Sequence, residues 1–213
     1  MEVIVPSGWF LPVTPGTSYV TLGGAIASDV HGKNHHSAGT FGKHVESLDI
    51  VLGTGEVVTA SPQIHADLFH ATCGGMGLTG IIMSATIQLL PIRSSLILQK
   101  TIKADCIEAA CEAFESNSDA TYSVAWIDCL SKGKSLGRSV IMLGEHAEQG
   151  GLNIDIRQKV SVPFSTPSAL LNSLTVKAFN TAYWYRAKHS VSQTVSLVPY
   201  FYPLDAVGDW NRL

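Results

Sequence analysis

The sequence predicts an α+β fold in two parts, and three observations carry that expectation. Residues 1 to about 92 are glycine-rich and read as short strands joined by tight turns, with little helix. From about 93 onward, strands and helices alternate. Hydrophobic residues make up 46% of the chain against 15% charged, the balance of a well-buried chain and not of a disordered one. A length of 213 residues fits one large domain or two small ones, and the change of texture places a boundary near residue 93, between segments 1–92 and 93–213.

Val45 to Leu52, a turn at Gly53-Thr54-Gly55, and Glu56 to Ala60 predict a β-hairpin. Asp67 to Thr72 predicts one or two helical turns. Gly80 to Leu90 sets Ser84, Thr86 and Gln88 between apolar residues, which predicts a strand with one solvated face that Pro91 closes. Ser94 to Lys103 reads as a strand. The helix after it, Cys106 to Glu115, is announced by Asp105 and Glu108 at capping-box spacing. Tyr122 to Asp128 and Ser139 to Gly144 are further strands. Ser168 to Lys188 is expected to be helical, ending in the cluster Tyr183-Trp184-Tyr185, and Ser192 to Tyr202 to be a late strand. Neither end carries a cap or turn signal, the pattern expected of a fragment.

Several function classes are excluded. The formal charge of −3 is spread out with no basic stripe, which argues against nucleic acid. No apolar run reaches the roughly 18 residues of a membrane span. The start, Met1 to Pro6, has no basic region followed by an apolar one, so no signal peptide is read. Cys73, Cys106, Cys111 and Cys129 lack CxxC spacing, which points to buried thiols in a reducing compartment.

Two glycine-rich runs carry the chemistry. Gly23-Gly24-Ala25-Ile26-Ala27-Ser28-Asp29-Val30-His31-Gly32-Lys33-Asn34-His35-His36-Ser37-Ala38-Gly39 combines small residues, a lysine and three histidines. Small side chains let the backbone approach a flat, polar ligand closely. Cys73-Gly74-Gly75-Met76-Gly77-Leu78-Thr79-Gly80-Ile81-Ile82 is the second run, and two such runs in one chain suggest a bound cofactor. Neither GxGxxG in a strand–helix setting nor Walker A is present. His31 and His35 are four apart, but Gly32 and Asn34 argue against a shared helix, and no HExxH or familiar ligand interval accompanies them, so no metal is expected. His36 and His44 read as loop or surface histidines. Lys33, inside the small-residue run, reads as facing cofactor or substrate. Trp126 and Asp128 read as a core aromatic and a strand-end carboxylate. Tyr183 to Tyr185 fit an apolar channel or a packed helix end equally well. Cys73 reads as a small buried residue with no neighbouring base.

Taken jointly, the runs resemble the flavin-binding segments of FAD-linked oxidases of the vanillyl-alcohol oxidase (PCMH) type. Gly8-Trp9-Phe10, Pro15-Gly16-Thr17, Phe69-His70-Ala71-Thr72, Phe201-Tyr202-Pro203-Leu204-Asp205 and Trp210-Asn211-Arg212 extend the likeness to the branch that oxidises polyprenylphosphoryl ribose. The resemblance implies the second part of an FAD-binding domain at 1–92, followed by part of an α+β substrate domain at 93–213. It implies FAD contacts from Gly16, Thr17, Thr21, Leu22, Gly23, Gly24, Ser28, Asp29, Val30, His31 and Ile82. It also implies that His31 and Lys33 are catalytic, a cation there stabilising negative charge that develops on the flavin. The implied reaction is oxidation of a secondary alcohol of a sugar, the 2′-hydroxyl of a polyprenylphosphoryl ribose, with oxygen, another acceptor or a partner reductase taking the electrons. The alternatives are an aldonolactone oxidase of the same superfamily, or a truncated and inactive fragment. The implied partner is a sugar or lipid-linked sugar, and the implied location is cytoplasmic or peripheral at a membrane. Three departures stand out. The family's pyrophosphate loop would precede Met1, its C-terminal catalytic lysine would lie beyond Leu213, and Val124 stands where the family has the serine of a Ser-Ala-Trp segment.

Overall fold

The computed structural model describes residues 1–155, 160–162, 165, 171–189, 191–209 and 212. By its contacts the chain divides into two units, Met1–Ile92 with Phe201–Pro203, and Arg93–Tyr200 with Leu204–Leu213.

In the first unit the hairpin glycines do what the sequence predicts. Gly55 sits at φ +86°, a conformation that costs a glycine little, and the turn lets β2 (Val45–Val51) pair antiparallel with β3 (Val57–Ala60). β4 (Ile81–Ile87) joins the other side of β2, giving the order β3-β2-β4. The register of β2 on β4 slips between Val45 and Ser47 and between Asp49 and Ile50. Such bulges break strict alternation, which accounts for Val45, Leu48 and Ile50 all facing the core. There they meet Phe41, Ala60, Phe69 and the helical residues Ala25 and Ile26. Pro91 does not close β4. Leu90–Pro91 (β5) forms its own two-residue pairing with Trp9–Phe10 (β1), a short edge where a missing amide is tolerated.

This unit is more helical than its glycine content predicts. α1 (Leu22–Ala27) forms across Gly23 and Gly24, each a cost of about 1 kcal/mol relative to alanine. Thr21 offsets part of that cost by capping the Gly24 amide at 3.0 Å, and burial of Ala25 and Ile26 supplies the rest. Asn34 precedes one further turn, α2 (His35–Ala38). α3 (Ala66–Thr72) matches the expected turns and leads into the second glycine run. There Gly75 lies so close to α3 that a Cβ would sit 2.0 Å from the Ala71 carbonyl oxygen. Gly75→Ala must push the last helical turn aside, at a cost of about 1–3 kcal/mol or more. Its urea midpoint should fall accordingly, and an unchanged midpoint would show that the segment yields freely.

The second unit is a four-stranded antiparallel sheet in the order β10-β6-β8-β7, built from β6 (Leu96–Ala104), β7 (Tyr122–Ile127), β8 (Ser139–His146) and β10 (Val191–Ser196). A two-residue parallel pairing, β9 (Val160–Ser161) with β11 (Val207–Gly208), stands apart from it. α4 (Ile107–Glu115) packs Ala110 against Ala104, Ile141 and Leu143. Its N-cap is Cys106, with no side-chain cap hydrogen bond, so the expected capping box from Asp105 does not form. α5 (Ser173–Arg186) does have a capping box, made by Asn172 and Thr175. It starts later than Ser168, and 168–170 lie outside the described residues. The expected late strand ends at Ser196. Leu197–Phe201 is a short helix (α6), because Pro199 cannot donate to a ladder but is tolerated in a first helical turn. All four cysteines are free thiols, but Cys111 and Cys129 are exposed, against the expectation of buried thiols. Among the described residues, no helix is long and apolar enough to cross a membrane.

Candidate functional site

The two glycine-rich runs meet through their backbones. The Gly74 amide donates to the Ile26 carbonyl at 3.0 Å, and the Met76 amide to the Ala27 carbonyl at 2.8 Å. The C-terminal end of α1 is thereby tied to the loop after α3. Together they line a surface cleft of about 410 Å³ with Thr21, Gly23, Gly24 and Ser28 on one side and Met76, Gly77, Gly80 and Ile82 on the other. Gly23 is not required by packing. A Cβ there would find only Ile82, at an ordinary 3.8 Å. A helical position where alanine would fit and would favour the helix, yet which holds glycine, leaves open space on the cleft wall. Gly77, at φ +76°, likewise has nothing within 4 Å of its missing side chain.

A second recess, about 390 Å³, opens beside the first and shares Thr21. Thr17, Leu22, Phe41 and Tyr202 contribute to its wall. Thr17, Thr21 and Leu22 border this space, while Gly16 is an exposed turn residue next to it. Asp29 and Val30 behave differently from the other expected contacts. Asp29, at φ +41°, accepts the Gly42 amide at 2.7 Å. Val30 exchanges backbone bonds with Ala25 and Phe41 and packs against the core. Cys73 is half-buried beside Asp29, and burial first, then the Asp29 charge, pushes its thiol up to about 11, which leaves it unreactive.

His31 is exposed, bridged to Thr40, and meets the His35 ring edge-on at 5.2 Å. No group of three or more metal-ligating side chains occurs among the described residues. The backbone of Gly32 presses on residue 14, where a Cβ would lie 2.5 Å from the Thr14 carbonyl oxygen. Asn34, buried, donates to the Pro12 carbonyl at 2.8 Å. These contacts hold Lys33 between them. Its Nζ donates to the Phe201 carbonyl at 3.4 Å and lies 5.8 Å from the centre of the Phe201 ring. Desolvation lowers the Lys33 ammonium from 10.5 to about 8. At neutral pH it is therefore a positive charge in a poorly hydrated place, where electrostatic effects are large. The next residue, Tyr202, shares a 2.7 Å hydrogen bond between its phenol and the Thr14 hydroxyl. Phe201 itself packs on Phe10, with ring centres 4.9 Å apart.

In the second unit, Trp126 is half-buried against Tyr183 with ring centres 4.7 Å apart. Trp184 is buried and Tyr185 exposed, so the three aromatics do not line one channel. Asp128 is the acceptor of a buried network. Arg138 Nε and Nη2 reach it at 2.9 and 2.7 Å, and Asn180 Nδ2 at 2.7 Å. Sequence reasoning marked both glycine runs and Lys33, but of the second run it named only Ile82 as a contact, leaving out Met76, Gly77 and Gly80 of the cleft wall. It also missed the approach of residue 201 to residue 33, because neither spacing nor periodicity reports a contact between residues so far apart in sequence.

Residues 1–61 match the family of FAD binding domains. Over its whole length the chain is 38% identical to the decaprenylphosphoryl-β-D-ribose oxidase of Mycolicibacterium smegmatis and covers 49% of that protein. An uncharacterised protein from the mprA 5′ region of Streptomyces coelicolor is 35% identical over 82% of the chain, again with 49% of that protein covered. Human Δ(24)-sterol reductase is 29% identical over 68% of the chain. The chain spans about half the length of the first two relatives.

Proposed function

We propose that the chain, whose residues 1–61 match the family of FAD binding domains and which is similar over its whole length to a decaprenylphosphoryl-β-D-ribose oxidase, forms part of an FAD-linked enzyme that oxidises a secondary alcohol of a sugar, the 2′-hydroxyl of a polyprenylphosphoryl ribose. The observation that carries this reading is the joining of the two glycine runs into one cleft whose wall is kept open at Gly23. Gly16, Thr17, Thr21, Leu22, Gly23, Gly24, Ser28 and Ile82 would hold the flavin, with Asp29 and Val30 supporting the backbone around it. FAD, when bound, supplies the two-electron acceptor. Lys33 supplies a desolvated positive charge, and His31 an imidazole two residues away. A preorganised cation costs no reorganisation as negative charge builds. A lipid-linked substrate would bring the parent enzyme to a membrane surface. Oxygen, another acceptor or a partner reductase would take the electrons.

The test is an absorbance spectrum of the purified chain after incubation with FAD and desalting. Retention of about one equivalent is expected for the native sequence and for Gly23→Ala. Gly23→Leu should fill the cleft and weaken retention at least a hundredfold, a loss of roughly 3 kcal/mol, while its melting temperature stays level or rises because a strong helix former replaces glycine. Equal retention by both variants would remove the cleft from the flavin site. In the full-length parent, a panel setting polyprenylphosphoryl ribose against sugar lactones tests the substrate.

A further inference from the structure

The second unit contains a recess that the flavin reading leaves unused. It measures about 590 Å³ and is built from the loop after β7 and the first turns of α5. Three cations line it, Lys132, Arg138 and Lys177, together with the hydroxyls of Ser135, Ser173 and Thr181. Its carboxylate, Asp128, is buried and already held by Arg138, Asn180 and the Leu130 amide. Asp128 and Arg138 therefore balance each other, and the two lysines remain in excess. Both are exposed, and each comes from a different element. Ser173 is the first residue of the 14-residue helix α5, whose positive end adds to the same field.

We propose that this recess binds a phosphate group. Two exposed ammonium groups with the hydroxyls of Ser135 and Ser173 form a donor-rich set suited to a tetrahedral oxyanion, while Asn172 already caps the first amides of α5 and Arg138 is held by Asp128. Leu130 and Leu174 add an apolar rim, and Leu174 is 75% exposed. That rim suits a phosphate attached to an apolar chain as well as a free one. The recess shares no residue with the proposed flavin cleft, so phosphate binding here stands or falls separately from flavin binding there.

Calorimetric titration of the whole chain, without flavin, with inorganic phosphate is the deciding experiment. Saturable binding is expected, weakened at least tenfold in Lys132→Ala/Lys177→Ala. The single variant Lys177→Gln, which keeps side-chain length, should weaken it at least threefold. Circular dichroism melts confirm that the variants fold. A parallel arm sediments the chain with vesicles of phosphatidylglycerol or of phosphatidylcholine. Selective binding to phosphatidylglycerol that phosphate displaces identifies a lipid headgroup as the source. Phosphate binding without vesicle binding identifies a free phosphorylated ligand. Absence of saturable binding in both arms, or binding unchanged in both lysine variants, overturns the proposal.

Discussion

Asp128→Ala should lower the unfolding free energy of the second unit by about 3–5 kcal/mol, the cost of leaving a buried cation without its counter-charge. Asp128 is 1% exposed, and Arg138, with a side chain 15% exposed, donates to it twice. Its removal also strands the amide of Asn180, itself buried. The effect has a pH signature. Burial pushes the Asp128 carboxyl up, but hydrogen bonds from Arg138, Asn180 and Leu130, with the Arg138 charge, outweigh it and hold the group below the usual carboxylate range. A carboxylate with a lowered pKa stabilises the fold above its ordinary 3.8 and loses that contribution as pH falls through the folded value. The deficit of the variant should therefore be full at pH 7 and shrink below about pH 4. Replacing the pair together, as Asp128→Leu/Arg138→Met, should recover much of the loss, since an apolar pair of similar volume is often no worse than a buried ion pair. Urea melts at both pH values measure this, and a deficit under about 1 kcal/mol at pH 7 would show that solvent reaches Arg138 and replaces the carboxylate.

Lys33→Met should act in the opposite direction on stability while removing turnover in the parent enzyme. The ammonium is lowered from 10.5 to about 8 by desolvation. Between those values the unfolded chain binds the proton and the folded chain does not, so native stability rises with pH from about 8 to 10.5. Below pH 8 the lysine is charged in both states and its burial costs the fold in full. That cost reaches roughly 3 kcal/mol at about 1.4 kcal/mol per tenfold. The hydrogen bond to Phe201 and the ring contact return part of it. Methionine keeps the stem packed and removes the charge, so a net gain of about 1–2 kcal/mol at pH 7 is expected, vanishing above pH 10.5. In the parent, native turnover should fall as pH rises through about 8, and Lys33→Arg, whose charge persists, should move that limb upward. A variant less stable than the native chain at pH 7 would show the Phe201 contacts to be the stronger term.

The sequence announced those elements whose cause is local. The β2–β3 hairpin was legible because Gly53-Thr54-Gly55 permits its turn and β-rich residues flank it. α3 and α4 were legible too, α4 through the capping-box spacing of Asp105 and Glu108, although Cys106 is the residue that stands at the N-cap. α1 was not, since Gly23 and Gly24 argue against a helix and only the Thr21 cap and the burial of Ile26 decide for one. The bulges of β2 leave no residue signature, and the helix at Leu197–Phe201 hides behind β-branched and aromatic residues until Pro199 is weighed. At the site, the two glycine-rich runs and the place of Lys33 within one of them pointed to a cofactor, while the individual contacts were named by resemblance. The bonds that join the two glycine runs run from backbone to backbone, which no side-chain pattern encodes.

The first unit is discontinuous in the chain, since Phe201–Pro203 complete it only after all of Arg93–Tyr200 has been made. On a ribosome, residues 1–92 would emerge with Phe10, Thr14 and Lys33 still lacking Phe201 and Tyr202, and would wait for the intervening polypeptide before sealing. Closing so long a loop slows the final step far more than it weakens the product. Synthesis of Phe201–Pro203 thus sets the pace at which the unit carrying the glycine cleft matures, and a premature stop before residue 201 would leave that unit permanently open.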